Sequence, residues 1–362
     1  VTIASPSAQW QIHSGLDALG VFENRKSDFT LDDEQQSLRH GVASILAKSC
    51  TTRQLRDLGS VSFSSSLLGQ LAEFGLFAAG LPEELGGAEV GLGSLVAAAE
   101  VLGEAFAPVP FADMIAGLRA AARVAEPATG LNQLFDGVEP VTVALEDLSR
   151  PQTLPAGCVA RWVVGWRGDD LVVIQRHATP AWRPNAAGMP LGSWTPGDGS
   201  IEFVLNDAGY ARRQLVTEWR LLTGAALVGV ARTALRYAVD FATVRETRGV
   251  PIGALQAISH KLADVKIALD AAGNLIRQAA WFQENEPESR PELPALAFAG
   301  AVRAASFGVH TAVHIHGGQG VSLESDVTLA FTRARAWGLF SGHPDRLVAD
   351  SGASILHRSY EH

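Results

Sequence analysis

Apolar residues recur at three- and four-residue spacings over most of the chain. The period is clearest across residues 219–246, where Leu222, Ala225, Ala226, Gly229, Val230 and Leu235 fall on one helical face. Gly224, Ala225, Gly229 and Ala231 keep that helix slim. Glycine costs roughly 1 kcal/mol against alanine inside a helix, so two of them imply that another backbone packs closely. The pattern predicts a helix to about Glu246, broken at Arg248-Gly249-Val250-Pro251, where glycine admits a left-handed turn and proline stops helicity. A second helix opens near Ala254 with Gln256 in its first turn. Further helices are expected from a cap in residues 30–33 to about Lys48, over 67–74 closed by Gly75, and over 94–106 stopped by Pro108 and Pro110. Two more follow at 259–282, with Leu262, Val265, Leu269, Ala272, Leu275 and Ala279 on one face, and at 296–316.

Between about residues 141 and 205 the period shortens. VTVAL, ARWVVGW, DDLVVIQ and SIEFVL are short, β-branched segments set apart by Pro, Gly and Asp, and they predict a small β-domain. Trp162, Trp166, Trp182 and Trp194 fit its aromatic core and rim. The expected fold class is mostly α with a small β-domain. An extension over 1–27 shows no clear period. A helical domain (28–138), a reduced β-domain (139–210) and a C-terminal helical bundle (211–362) follow. Short connections between long amphipathic helices favour an antiparallel four-helix bundle.

Composition narrows the function classes. The 362 residues are 47% hydrophobic and 19% charged, as in a well-packed globular protein of two or three domains. A net charge of −9 argues against a nucleic-acid surface. Two cysteines, Cys50 and Cys158, make neither a disulfide framework nor a four-Cys zinc site, so a reducing cytoplasmic location is expected. No charge-free apolar run reaches about 18 residues, and VTIASPSAQWQIH lacks the basic and apolar regions of a secretory leader, so neither a membrane span nor a leader is expected. No GxGxxG follows a strand and no GxxxxGK[ST] occurs, which excludes Rossmann and P-loop nucleotide sites. His310 and His314 stand four apart, yet Thr311 occupies the place where a zinc peptidase needs Glu, and no metal site is expected.

The turn after the long helix gathers a guanidinium (Arg245), a hydroxyl (Thr247) and an amide (Gln256) beside a helix N-terminus. Such a set suits a pyrophosphate. An ordinary helical hairpin with a solvated arginine fits that stretch equally well.

The order of Arg, Thr, a Gly turn, Pro-Ile and Gln after a long small-residue helix resembles the acyl-CoA dehydrogenase family. Matches at residues 71–111, around the PEELGG connection, and at 314–320 extend the resemblance to roughly residues 28–357. It implies α,β-dehydrogenation of an acyl-CoA thioester with FAD as cofactor. It also implies a tetramer in which one subunit holds the flavin ring and acyl-CoA while a neighbour's C-terminal domain clamps the ADP end. On this chain the clamp falls on Arg245, Thr247 and Gln256, together with the turn Gly317-Gly318-Gln319-Gly320. His314 stands where the family has Gln and retains one hydrogen-bond donor. Arg248 stands where the family usually has Phe.

The chain departs from the pattern on the other half of the site. Glu146 leads into a short Pro-containing connection (147–158) in place of the family's long loop around the flavin ring. The strand Ala160-Arg161-Trp162-Val163-Val164-Gly165 lacks the expected hydroxyl. The family's usual Glu base falls on Ser341, and serine is no base at neutral pH without an activating partner. The alternative base position, before Arg220, is Trp219. Glu218 is one residue away, about 100° around a helix. Asp345 and Glu324 are further carboxylates, and the usual base is expected to be absent.

Three readings follow. The first is a non-catalytic subunit of an α2β2 heterotetramer with a base-containing homologue, as among actinobacterial enzymes that shorten steroid side chains; acyl-CoA then sits at the partner's site. The second is a self-sufficient homomeric dehydrogenase using a displaced base such as Glu218. The third is a flavin-free structural or binding protein on the same fold.

Overall fold

The first helix, α1 (Asp33–Ser49), starts from a reciprocal cap. Asp32 accepts from the Gln35 N–H at 2.9 Å, and the Gln35 side chain accepts from the Asp32 N–H. The computed structural model describes residues 29–123, 132–135, 138–206 and 208–360, so the extension expected over residues 1–27 lies outside the described residues. Short helices α2 (Thr52–Asp57) and α3 (Ser65–Glu73) follow, and Gly75 at φ +84° ends the latter as its sequence implies. The PEELGG connection is a single 3₁₀ turn closed by Gly86 at φ +79°. Helix α4 (Leu92–Glu104) begins two residues before its apolar period, because the Glu284 carboxylate accepts the Leu92 N–H and caps it from the far end of the chain. Helices α5 (Phe111–Ala122) and α6 (Asn132–Phe135) complete this part.

The middle of the chain is a four-stranded sheet in the order β1-β3-β4-β6, formed by β1 (Val141–Val143), β3 (Trp162–Arg167), β4 (Asp170–Arg176) and β6 (Gly199–Leu205). Only β1 and β3 pair in parallel. Two short strands not evident from the alternation, β2 (Gln152–Leu154) and β5 (Gly192–Trp194), pair separately. Three of the tryptophans are core: Trp162, Trp166 and Trp194 are buried, and the Trp194 indole donates to the Leu148 carbonyl at 2.9 Å. Trp182 sits at the rim and donates to the Met189 carbonyl.

The chain returns to helix at Gly209, earlier than the apolar period shows, because Ala211, Gln214, Leu215 and Glu218 already form a buried stripe at helical spacing. The C-terminal bundle consists of α7 (Gly209–Val244), α8 (Gln256–Asn285) and α9 (Leu293–His316), with its fourth edge made by α10 (Asp326–Trp337) and α11 (Pro344–Tyr360). Helix α9 is long and apolar enough to cross a membrane by length and composition. Its apolar residues Ala297, Phe298, Ala301, Ala305 and Val309 instead fill the bundle interior.

The slim face of α7 packs on α4. A Cβ added at Gly229 would lie 2.0 Å from the Glu100 carbonyl oxygen, and one added at Gly103 would lie 2.1 Å from that of Ala226. Glu100 is buried at this crossing and pairs with Arg232 of α7, Arg39 of α1 and Arg277 of α8. A carboxylate answered by three arginines from three helices ties the N-terminal helices to the bundle.

Replacing Gly229 by Ala tests this crossing. Alanine gains about 1 kcal/mol in helix propensity, but the Cβ clash forces the helices apart. A net loss of about 1–3 kcal/mol is expected from urea unfolding.

Candidate functional site

The C-terminal ends of α7 and α9 meet at one end of the bundle, where the Phe241 and His316 rings stack at 4.4 Å. Arg245 caps α7 in an extended conformation, and its carbonyl accepts from Ile252 N–H at 2.7 Å across a small hairpin, β7 (Glu246–Thr247) and β8 (Val250–Pro251). Arg248 and Gly249 take φ +52° and +80°, the signs of a two-residue type I′ turn. Glycine supplies one of these angles freely, whereas Arg248 is held there by the hairpin. Gln256 is the first residue of α8, and Gly253 before it faces the Ala242 backbone of α7. At the end of α9, Gly317 takes φ 57° and ψ −133°, a conformation suited to glycine alone, while Gly320 tucks beneath the Val313 carbonyl.

Topology therefore brings together residues that are far apart in sequence. Arg245, Thr247, Gln256, His314, Gly317 and Gly318 are all exposed at this end of the bundle. No atom lies within 4 Å of a Cβ built on Gly318, so its backbone is open to a ligand. Around them Val244, Leu255, Val321 and Leu323 are also exposed, giving the polar set an apolar rim. A cation, a helix N-terminus and bare glycine backbone fit a pyrophosphate with its attached sugar.

The base positions show different chemistry. Ser341 is buried, and its hydroxyl accepts from Arg220 Nε at 2.7 Å while its carbonyl accepts from the same guanidinium at 3.3 Å. Burial lowers the Arg220 pKa. Arg220 donates to that hydroxyl and cannot take its proton, so the contact does not activate the serine. Glu218 is 1% exposed and lies between Arg119, at 3.0 Å, and Arg123. Asp345 is on the surface, paired with Arg303 at 2.6 Å, and Glu324 is exposed. None of these carboxylates lines the cavity beside Trp219.

That cavity lies between the end of α4, the start of α5, the β-domain and the bundle. Its volume is about 70 Å³, and Phe111, Trp219, Trp337 and Phe340 supply its aromatic walls. Pockets that hold drug-sized ligands have volumes of about 300–1,000 Å³, and this cavity is well below that range. The β-domain closes one side: Gly157 and Gly192 pack backbone to backbone, and the adjoining Pro155 and Pro190 line the cavity.

Three cavity residues have no counterpart among the expected site residues. Asp113 is fully buried, and its carboxylate accepts from Val143 N–H at 3.0 Å, Thr142 Oγ1 at 3.2 Å and Trp219 Nε1 at 3.4 Å. Burial pushes its pKa up to about 6 against these three donors. Thr223 and Arg333 are the others. A lone Asp in the apolar run FADMIAG was the available sequence sign for the first; Thr223 and Arg333 carry none.

Comparison with known proteins agrees with this architecture. Residues 32–124 match the N-terminal domain of acyl-CoA dehydrogenases, and residues 208–356 match their C-terminal domain. The acyl-CoA dehydrogenase IpdE2 of Mycobacterium tuberculosis is 28% identical over 340 residues, covering 91% of this chain and 97% of that protein. The steroid acyl-CoA dehydrogenase Tcur3481–Tcur3483, a G363A variant, aligns with a TM-score of 0.83 and 25% identity over 91% of this chain and 100% of the other. The ChsE4–ChsE5 complex of M. tuberculosis aligns at 0.82 and 23% identity, with 91% and 99% covered, and shows the fold.

The raised pKa of Asp113 gives stability a definite pH dependence. The folded carboxyl holds its proton to about pH 6 and the unfolded one to about 3.8. The stabilisation is therefore complete below about pH 4 and lost as pH rises through 6. Asp113→Asn removes this dependence. Its stability relative to wild type should improve by about 3 kcal/mol between pH 4 and pH 7.5 in denaturant titrations.

Proposed function

We infer that this chain, which belongs to the acyl-CoA dehydrogenase family, is the non-catalytic subunit of a heteromeric enzyme and completes the FAD site of a base-containing partner. The observation that carries the reading is the contrast between the two halves of the site. The bundle end presents Arg245, Thr247, Gln256, His314 and the Gly317-Gly318 backbone outward. The base position holds a serine tied to Arg220, beside a cavity of about 70 Å³.

In this reading Arg245 pairs the pyrophosphate, Thr247, Gln256 and His314 add hydrogen bonds, and the glycine turn lets the cofactor approach the backbone. A bound FAD would supply the acceptor for the hydride that leaves the β-carbon of the acyl thioester. The partner supplies the carboxylate that takes the α-proton, and this chain alone is inactive. Two similar assemblies, Tcur3481–Tcur3483 and ChsE4–ChsE5, pair two differently named proteins, and the first is described as a steroid enzyme. The first supports a steroid-derived acyl-CoA and a two-protein assembly here; the α2β2 arrangement is part of our reading. The homomeric alternative through Glu218 loses support from geometry, because two arginines already occupy that carboxylate.

Two measurements on the co-expressed complex test the reading. Arg245→Ala should weaken flavin retention by about one to two orders of magnitude, since a charge-assisted hydrogen bond contributes roughly 1.5–3 kcal/mol. Unchanged flavin content would remove the clamp from this chain. Glu218→Gln and Ser341→Ala, each with wild-type partner, should keep turnover within a few-fold of normal. Loss of a true base costs on the order of 10²–10⁴-fold, so a collapse in either variant with flavin still bound would place the base in this subunit. Ser341→Glu should create no second active site, because Arg220 would pair the new carboxylate.

A further inference from the structure

The hairpin between α7 and α8 carries a residue that its turn does not favour. Arg248 and Gly249 occupy the two central positions, with φ +52° and +80°. Turns of this kind prefer Asn-Gly, because asparagine and glycine enter the left-handed region most readily. Another L-residue there costs about tenfold in the folding equilibrium. Two further described non-glycine residues have positive φ, and the fold gains from each. Phe106 buries its ring, and the Glu89 N–H donates to the Leu81 carbonyl at 3.0 Å. Arg248 is exposed, and among the described residues its guanidinium has no hydrogen-bond or ion-pair partner. A strained residue that returns nothing to its own fold points to a role toward another molecule.

We propose that Arg248 is a second cation on the cofactor diphosphate, gripping it from the hairpin tip while Arg245 holds it from the hairpin base. Three residues span at most about 10 Å, so two long arginine side chains can reach one diphosphate together. No atom lies within 4 Å of a Cβ built on Gly249, as at Gly317 and Gly318, so the tip leaves a ligand room to approach. Magnitude decides between a diphosphate and a surface carboxylate of a neighbouring subunit. An exposed ion pair is worth a few-fold at most, less than the conformation costs. A charge-assisted contact to phosphate is worth about tenfold to a hundredfold. The resembled family usually has Phe at this position, so the charge is a feature of this chain. The inference deepens the clamp reading and rests on it.

Three variants test it. Arg248→Asn gives the turn its favoured pair, so urea unfolding of the full chain should show a folding equilibrium about fivefold more favourable than wild type. In the co-expressed complex the same variant should bind FAD about tenfold more weakly. Its affinity should also depend less steeply on salt, because one exposed charge fewer is screened. Arg248→Lys keeps the charge but not the fork, so it should keep the wild-type salt dependence and bind FAD with intermediate affinity. A gain in stability together with a loss of flavin is not what a structural role produces. Unchanged FAD affinity in Arg248→Asn, or a loss with the wild-type salt dependence, would overturn the assignment. Dissociation of the flavin-free Arg248→Asn complex would overturn it too, by moving the charge to the subunit contact. Arg245→Ala separates the two claims. If it releases flavin and Arg248→Asn does not, the clamp stands and Arg248 is excluded; if neither changes flavin content, the clamp reading itself fails.

Discussion

The crossing of α4 and α7 is the contact on which the rest of the molecule depends. Backbones meet there at a distance only glycine permits, with Gly229 on the Glu100 carbonyl and Gly103 on that of Ala226. Contact this close desolvates the Glu100 side chain beside it, and three arginines from different helices answer the charge. Steric fit and charge pairing reinforce each other, since removing an arginine leaves a buried carboxylate and adding a Cβ separates the pair. Because α7 also carries Glu218, Trp219, Arg220 and Thr223 and is capped by Arg245, its placement positions both ends of the candidate site.

The two ends of α7 meet opposite requirements. At its C-terminus the helix stops in a hairpin whose polar residues are exposed. Nearer its N-terminus three successive residues face different surroundings: Glu218 two arginines, Trp219 the cavity, and Arg220 the buried Ser341. Helical rotation of about 100° per residue explains the division. It also explains why a carboxylate displaced by one position from Trp219 is not equivalent to one at Trp219.

The β-domain accounts for the small size of the cavity. With the short connection between β1 and β3, Gly157 closes directly on Gly192, and aromatic side chains from the bundle fill the remaining space. The cavity that remains between them is about 70 Å³. Its polar lining is unevenly bonded: Asp113 accepts from three donors, Arg333 donates to the Ala187 carbonyl and Ser62 Oγ, and Thr223 Oγ1 has no partner.

Periodicity, glycine placement and turn chemistry were enough to locate α1, α7, α8 and α9, the strands of the main sheet and the break at Arg248-Gly249, but not α5, α10 or α11. Each is governed by neighbours a few residues apart along the chain. The absence of a carboxylate at 341 was equally plain, because a residue's identity needs no folding to be known. The short β2 and β5 strands and the early start of α7 were hidden, since β2 is three residues long and the first turns of α7 are helical through packing. Only tertiary structure decided that Arg220 reaches Ser341, 121 positions away, that Glu218 is held by two arginines of α5 and its C-cap, and that Thr223 and Arg333 line one cavity. The reason is that burial and partnership depend on which helix faces which. A sequence lists its charges and hydroxyls, but whether each one is answered is settled only when the chain closes around it.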